Sequence, residues 1–316
     1  MTSEKILSNY SSNGNASQHF FSLFNNSTAP LLTTLSLVCF LVNITIISLF
    51  FIDPLHSLRR PSGYLVASLN VGAILTSTSS ILITLPGIDS TIVLSVNVFF
   101  AVTSVAATAS FSFIFILSYE RYVLVTAPIK YKRVVTVRLV QILAASIWIW
   151  SGIIGVFMLK MFATTDHQWL SLPFGILFII LVTIDIKTFI EIKKLNSNIT
   201  SITETGPERS AVSQAIKKRN NMHSRFALVV VLLLLNFIFL ACPMFVYDAL
   251  STFNKKCEFC LFTSNIADAT MYAATMILFI CHDINTALFY LILIPKYRLS
   301  FVAMFRKCKM SFLKKL

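Results

Sequence analysis

Between Thr91 and Tyr119 the chain runs for 29 residues without a charged side chain. A helix of about 20 apolar residues crosses the roughly 30 Å hydrocarbon core of a bilayer, whereas in water it would expose a large apolar surface. Several similar stretches occur along the chain, which is 56% hydrophobic and only 12% charged, with a mean hydropathy of +0.78. Backbone groups in lipid must bond within their own segment, so these stretches are expected to be helices.

Seven spans are predicted, two of which continue past charged residues. The fifth runs through Asp185, whose carboxylate we expect to reach the interface, and the seventh passes His282 and Asp283. The fold class is therefore an all-α membrane protein, a seven-transmembrane helix bundle with a short amphipathic cytoplasmic helix after the seventh span. The predicted spans are Leu31–Phe51, Tyr64–Ile88, Thr91–Tyr119, Leu139–Leu159, Trp169–Phe189, Phe226–Tyr247 and Ala269–Leu293.

Basic residues give the expected orientation. Of the 26 lysines and arginines, only Lys5, Lys160, Lys255 and Lys256 fall on the side of the N-terminus. The positive-inside rule then places the N-terminus outside and the C-terminus in the cytoplasm. We expect residues 1–30 to form an extracellular tail, 31–295 the membrane domain, and 296–316 a cytoplasmic helix and tail. The net charge of +13 indicates topology and attraction to anionic membrane lipid rather than nucleic-acid binding.

The N-terminal tail is polar and carries sequons for N-glycosylation. We expect it to be disordered and glycosylated, with the first span acting as the insertion signal because no signal peptide precedes it. The predicted acceptors are Asn9, Asn15, Asn25 and Asn26.

Two cysteines, Cys257 and Cys260, lie in the predicted third outer loop. They form either a small disulfide bridge or two free thiols, and the sequence leaves both open. A zinc site is not expected, because no second pair of ligands accompanies them. No metal, cofactor or catalytic residue is predicted anywhere in the chain.

Short motifs recur in a fixed order along the spans. In this order and spacing, the chain resembles the rhodopsin-like (class A) G-protein-coupled receptors from about Leu31 to Lys309. The resemblance implies a plasma-membrane receptor for an extracellular ligand, acting on heterotrimeric G proteins. The motifs are Asn43, Leu58-Arg-Arg-Pro61, Tyr64 to Leu75, Glu120-Arg121-Tyr122 with Pro128, Trp148 to Ser151, and Phe237 with Pro243.

Glu120 and Arg121 directly follow the charge-free third span. In the family that the chain resembles, the acid holds the arginine until activation frees it to meet the G protein. An ion pair at the membrane edge is strengthened when it is closed off from water, so helix movement can switch it. Arginine also commonly anchors a helix end at the interface. The spacing of Tyr122 and Pro128 favours the switch.

The resemblance assigns further inner-face roles. Aligning Tyr290 with the tyrosine of the family's Asn-Pro-x-x-Tyr motif puts Thr286 and Ala287 at its Asn-Pro, whereas alignment on Asn285 would put Phe289 at the tyrosine. His223 stands where an acid at the foot of span six often pairs with the arginine, so we expect raised basal signalling. Cys308, at the end of an amphipathic segment from Tyr297 to Lys309, is a candidate for palmitoylation.

The chain departs from the family pattern at the membrane centre. The family's span-two aspartate is replaced by Ala73, whereas span seven carries Asp283. We hypothesise that the acid has moved across the gap, because a carboxylate in mid-membrane is by default functional. A protonated Asp283 bonded to a backbone carbonyl is the alternative. The expected polar centre comprises Asn43, His282, Asp283 and Asn285, with Asn70 as a further neighbour.

Span six and the outer loops depart as well. Leu240-Ala-Cys-Pro243 lacks the family's tryptophan, but Phe237 remains and Pro243 should still distort the helix as a hinge. No cysteine is present near Val96 to form the usual bridge. Melanocortin, lysophospholipid and cannabinoid receptors also lack that bridge, and a short second outer loop is most similar to melanocortin receptors.

The upper half of span three offers small polar groups to a ligand. Aminergic receptors have an aspartate there, so a monoamine ligand is not expected. No lysine lies between Lys256 and Lys296, which argues against a retinal Schiff base. The candidate pocket residues are Thr103, Ser104, Ala107, Thr108, Tyr247, Asp248 and Tyr272.

The sequence gives less support to two other classes of function, an enzyme and a transporter. An enzyme would need several converging acid, base or metal-binding groups, and a transporter would more often show internal repeats and broken helices. A receptor-like seven-helix protein without G-protein coupling, or a transporter, stays open as an alternative.

Overall fold

The computed structural model describes residues 28–84, 92–161, 179–194, 228–229, 231–244, 246–247 and 265–313. Most of these residues are helical. The helices are α1 Ala29–Ile52, α2 Pro61–Thr84, α3 Ile92–Thr126, α4 Pro128–Val134, α5 Val137–Met161, α6 within 179–194, α7 Val231–Met244, α8 Asn265–Leu293 and α9 Pro295–Leu313.

Five of the described helices, α1, α2, α3, α5 and α8, are long and apolar enough to cross a membrane. They coincide with the predicted spans one to four and seven. Helix α7 lies within the predicted span six, whereas the described part of α6 overlaps the predicted span five and continues to residue 194, five residues past Phe189. The all-helical membrane fold expected from the sequence is confirmed.

The third span is longer than predicted. The sequence placed its end at Tyr119, next to the first charges, but α3 continues to Thr126. Residues before a proline disfavour the helical region, and Ala127, which precedes Pro128, has φ −141° and ψ 64°. The helix therefore ends at this proline, seven residues past the predicted end of the span at Tyr119.

Small residues bring the neighbouring helices close to α3. A Cβ atom added at Gly72 of α2 would lie 2.6 Å from Ser110 Oγ, and one at Gly155 of α5 would lie 2.2 Å from Val105 Cγ2. Helix α8 packs against α1, α2 and α7, which completes the described part of the bundle.

The loop between α1 and α2 is tied together by one carboxylate. Asp53 is buried and adopts a left-handed conformation with φ 36°. Its side chain accepts backbone hydrogen bonds from Ser57 at 2.9 Å, Leu58 at 3.1 Å and Arg59 at 3.3 Å. The Arg59 guanidinium donates to the carbonyl of Phe51 at 2.7 Å. The loop is therefore held against the end of α1 up to Arg59, two residues before α2 begins.

Helix α7 widens into a π-turn at Phe237–Ala241, just before Pro243. The backbone N–H of Cys242 donates to the carbonyl of Phe237, five residues back. Proline lacks an N–H and crowds the carbonyl four residues before it, and a π-turn is one way to absorb this conflict. The distortion predicted from Pro243 thus takes the form of a local widening of the helix.

Candidate functional site

The acid of the Glu-Arg-Tyr motif has a partner on the neighbouring short helix. Glu120 is only 4% exposed, and the Tyr131 hydroxyl of α4 donates a 2.6 Å hydrogen bond to Glu120 Oε1. Glu120 Oε2 has no hydrogen-bond partner within the described residues. Burial of the Tyr131 ring and its bond to Glu120 raise the pKa of the tyrosine. Such a short bond to a carboxylate is of the stronger, charge-assisted kind.

Arg121, the next residue, lies at the boundary of two cavities inside the bundle. The first cavity lies between α3, α7 and α8 and is lined by Ser118, Leu233 and Tyr290. Its free space of about 20 Å³ has room for one or two waters. A helix with side chains is about 10 Å wide. The described parts of α3, α7 and α8 thus leave little free space beside Arg121.

The second cavity lies between the α1–α2 loop, α3 and the junction of α8 with α9. Arg121 and Tyr290 border it together with Tyr297. The rings of Tyr290 and Tyr297 pack with their centroids 6.0 Å apart. Both tyrosines are buried, and burial raises the pKa of Tyr297. Arg121 and Tyr290 of the predicted switch are therefore brought together at one cavity.

A polar cluster lies on the buried side of α8. His282 Nδ1 and Asp283 Oδ1 are 3.2 Å apart, and the two side chains are 2% and 3% exposed. The Asn236 amide of α7 donates to the His282 carbonyl and to Thr286 Oγ1, each at 3.0 Å. Asp283 Oδ2 and His282 Nε2 have no hydrogen-bond partner among the described residues. These contacts connect the two helices directly across a polar interface.

The polar residues of α1 and α2 bond first within their own helices. Asn43 Nδ2 donates to the Cys39 carbonyl at 2.8 Å, and Asn70 Nδ2 donates to the Val66 carbonyl at 2.6 Å. The Cys39 thiol lies 4.0 Å from the Ala73 carbonyl and interacts electrostatically with Asp283. Cys39 of α1 is therefore a direct neighbour of the position where the span-two acid is missing. Asn285 is half-buried on α8.

Aromatic side chains connect this cluster to the distorted turn of α7. Phe237 contacts Phe111 of α3, with ring centroids 5.3 Å apart, and meets His282 edge-on at 5.8 Å. Phe279 stacks on the other side of His282 at 6.0 Å. A change in the π-turn would thus reach α3 and the polar cluster through Phe237.

Two polar residues of this region were missed by sequence reasoning. Asn236 is a single amide in the otherwise apolar run Val231–Leu240, and that isolation in mid-membrane is the signal that could have identified it. Asp185 was expected at the membrane interface but is buried on α6, next to Ser118 of α3. Its place reflects packing against α3, which hydropathy alone does not reveal.

The predicted ligand residues on α3 occupy different environments. Thr103 is buried, and its hydroxyl lies 3.4 Å from Ser79 Oγ of α2. Thr108 is also buried, whereas Ser104 and Ala107 are half-buried, as is Tyr247. Tyr272 belongs to α8, but its side chain lies outside the described part.

Several other candidates lie outside the described residues. These are Asn9, Asn15, Asn25, Asn26, His223, Asp248, Cys257 and Cys260, together with the side chain of Cys308 on α9.

Comparison with known families identifies the class of protein. A family model for the seven-transmembrane receptors of the rhodopsin family matches residues 42–282 of the 316-residue chain. The chain therefore belongs to the rhodopsin family of G-protein-coupled receptors. It is a multi-pass membrane protein of a receptor family, not an enzyme. No curated protein matches it. The matched segment ends at His282, so the altered motif from Thr286 to Tyr290 lies beyond it.

Proposed function

We propose that this receptor transmits the binding of an extracellular ligand to heterotrimeric G proteins through Arg121. The N-terminus lies outside the plasma membrane, and the α3–α4 region faces the cytoplasm. The observation that carries the proposal is the position of Arg121, beside a buried and hydrogen-bonded Glu120 and at the edge of two inner cavities. The ligand stays unnamed, with a monoamine and a retinal Schiff base as the least suited candidates.

In the resting arrangement, Tyr131 and Glu120 fix the turn of α3 that carries Arg121. The space between α3, α7 and α8 is too narrow for an entering helix. A ligand that binds the open state more tightly shifts the population toward it. Opening occurs by outward movement of α7 at its π-turn and Pro243, which widens the cavity beside Arg121 and Tyr290.

The polar cluster of α7 and α8 is the second part of the proposed switch. Asp283 takes over the function of the acid missing at Ala73, a position whose backbone carbonyl lies 4.0 Å from the Cys39 thiol. Asn236 and Phe237 connect the cluster to the turn that moves. A ligand-induced shift of α8 would therefore change the contacts that hold α7 in place.

Recruitment of G proteins in cells tests this function. The native chain should recruit a G protein, and Arg121→Ala should abolish most of that recruitment at equal surface expression. Arg306→Ala on α9 is the matched control, because Arg306 is exposed and its substitution removes the same positive charge. If the native chain recruits no G protein under a broad ligand panel, it is instead a receptor-like scaffold without coupling.

Two further measurements address the finer points. An N-terminal epitope tag should bind antibody on intact cells, whereas a C-terminal tag should need permeabilisation. His223→Glu should lower basal recruitment, because it supplies the acid that the family commonly pairs with the arginine. Unchanged basal recruitment in His223→Glu would remove the proposed link between His223 and basal signalling.

A further inference from the structure

The second cavity beside Arg121, called here the loop cavity, has the composition of an anion site. It is lined by the α1–α2 loop, α3 and the start of α9, and offers about 50 Å³ of free space. That space holds three or four waters, which is comparable to the oxygen shell of one phosphate group. It is therefore large enough for a small oxyanion.

Three cations from separate elements border the loop cavity. Arg60 comes from the end of the α1–α2 loop, Arg121 from α3, and Lys296 from the first turn of α9. Partial burial of Lys296 and its repulsion by Arg60 and Arg121 lower the pKa of the lysine. Like charges gathered around one cavity repel each other, and an anion between them relieves that repulsion. Guanidinium groups match the geometry of phosphate oxygens.

A neutral donor completes the lining. Ser57 Oγ is buried and has no hydrogen-bond partner within the described residues, and Ser57 lines the loop cavity. Helix α9 begins at Pro295, which lacks an N–H, and two further N–H groups of its first turn donate to the carbonyl of Ile294, so this turn contributes the positive end of its dipole. The nearby acids Asp53 and Glu120 already accept hydrogen bonds, from the loop backbone and from α4 respectively. The cationic side chains and the hydroxyl are thus in place before any ligand arrives.

We propose that the loop cavity binds a phosphate-type oxyanion through Arg60, Lys296, Ser57 and Arg121. The group is carried either by an inner-leaflet phosphoinositide headgroup or by a soluble phosphate compound. The site depends on the proposed cytoplasmic orientation of the loop, but not on coupling to a G protein. The exposed Leu299, Val302 and Phe305 of α9 are suited to lie at the membrane surface, which brings the cavity within reach of lipid headgroups.

Binding to the purified full-length chain in nanodiscs of neutral lipid tests the proposal. The probes are a short-chain phosphatidylinositol bisphosphate, free inositol trisphosphate and inorganic phosphate. Saturable binding and a ligand-dependent rise in melting temperature are expected for at least one probe. Binding of the lipid alone identifies the headgroup in its membrane, whereas equal binding of lipid and inositol phosphate identifies a soluble anion. Either result supports the site.

Substitutions then locate the binding. Arg60→Gln and Lys296→Gln should each weaken binding about tenfold, and Ser57→Ala several-fold, while Arg306→Gln should leave it unchanged. The melting temperature without probe shows whether each variant is folded. If Arg60→Gln or Lys296→Gln does not fold, Ser57→Ala still tests the site. Absence of saturable binding by all three probes overturns the proposal. Equal losses in Arg306→Gln and Lys296→Gln also overturn it, because they indicate general surface charge.

This outcome is separable from the proposed signalling function. Binding is measured on the purified chain, so a receptor that fails to couple can still bind the probes. Conversely, a chain that couples through Arg121 but binds none of the probes retains the proposed function and loses the loop-cavity site.

Discussion

Replacement of Tyr131 by phenylalanine tests the proposed resting state most directly. The change removes one hydroxyl and leaves the ring, so packing of α4 against α3 is preserved. It removes the 2.6 Å hydrogen bond to Glu120 Oε1. Because Glu120 is 4% exposed and its other oxygen has no described partner, water has little access to replace the lost donor.

The size of the effect follows from the kind of bond. A hydrogen bond to a charged group contributes about 1.5–3 kcal/mol. If the open state lacks this bond, Tyr131→Phe shifts the equilibrium toward the open state by about 10-fold to 150-fold. A receptor that is about 1% open at rest would become roughly 10% to 60% open. Basal G-protein recruitment should rise by a similar factor, up to saturation.

The assay compares basal recruitment at matched surface expression in four chains. These are the native chain, Tyr131→Phe, Glu120→Gln and Tyr119→Phe. The last is the control, because Tyr119 is 53% exposed and precedes Glu120 in the same helix. Glu120→Gln and Tyr131→Phe should raise basal recruitment together. A rise in Glu120→Gln with none in Tyr131→Phe would refute the role of the tyrosine.

Three other perturbations probe the bundle and the polar cluster. Gly155→Ala should destabilise the fold by about 1–3 kcal/mol, because the added methyl group overpacks against Val105. Gly152→Ala is the control, because its Cβ would meet nothing within 4 Å, and it should be neutral or stabilising by up to about 1 kcal/mol. Equal melting temperatures for the two variants would contradict the packing of α5 against α3. Asn236→Leu should lower the stability of the fold by about 0.6–1.7 kcal/mol, because it removes two interhelical hydrogen bonds. Thermal denaturation in detergent measures this change. An unchanged midpoint would show that these bonds contribute nothing. Asp283→Ala should reduce ligand-independent and ligand-dependent recruitment, and adding Ala73→Asp should restore part of it; no recovery in the double variant would count against the exchanged acid.

Much of the fold could be predicted from hydropathy, because the bilayer restricts the chain to apolar helices with satisfied backbones. The end of α3 could not be found in the same way. Charges mark where a chain leaves the hydrocarbon core, whereas helix termination depends on backbone chemistry, here Pro128 and Ala127. The charge-free span ends at Tyr119 and the helix ends at Thr126, so the two ends are seven residues apart.

The sequence pointed to Glu120 and Arg121 by their motif, but it did not indicate which residues contact them. Glu120 and Arg121 are recognisable because adjacent opposite charges after a long apolar run are unusual. Tyr131 is eleven residues from Glu120, and its contact depends on how α4 folds back after Pro128. Asn236 is bonded across to α8, a pairing that requires the relative rotation of two helices. Sequence periodicity does not contain that information.

The Asp53 loop has a consequence for how the bundle can move. Because Asp53 follows α1 and accepts hydrogen bonds from three residues just before α2, the loop limits how far the facing ends of α1 and α2 can separate. Helix α8 packs against both helices of this pair. A rearrangement beside Arg121 is therefore expected to move α7 and α8 relative to α1 and α2 rather than to separate α1 from α2. Loosening the loop at Asp53 would let α1 and α2 separate, so that less of this movement would open the cavity beside Arg121.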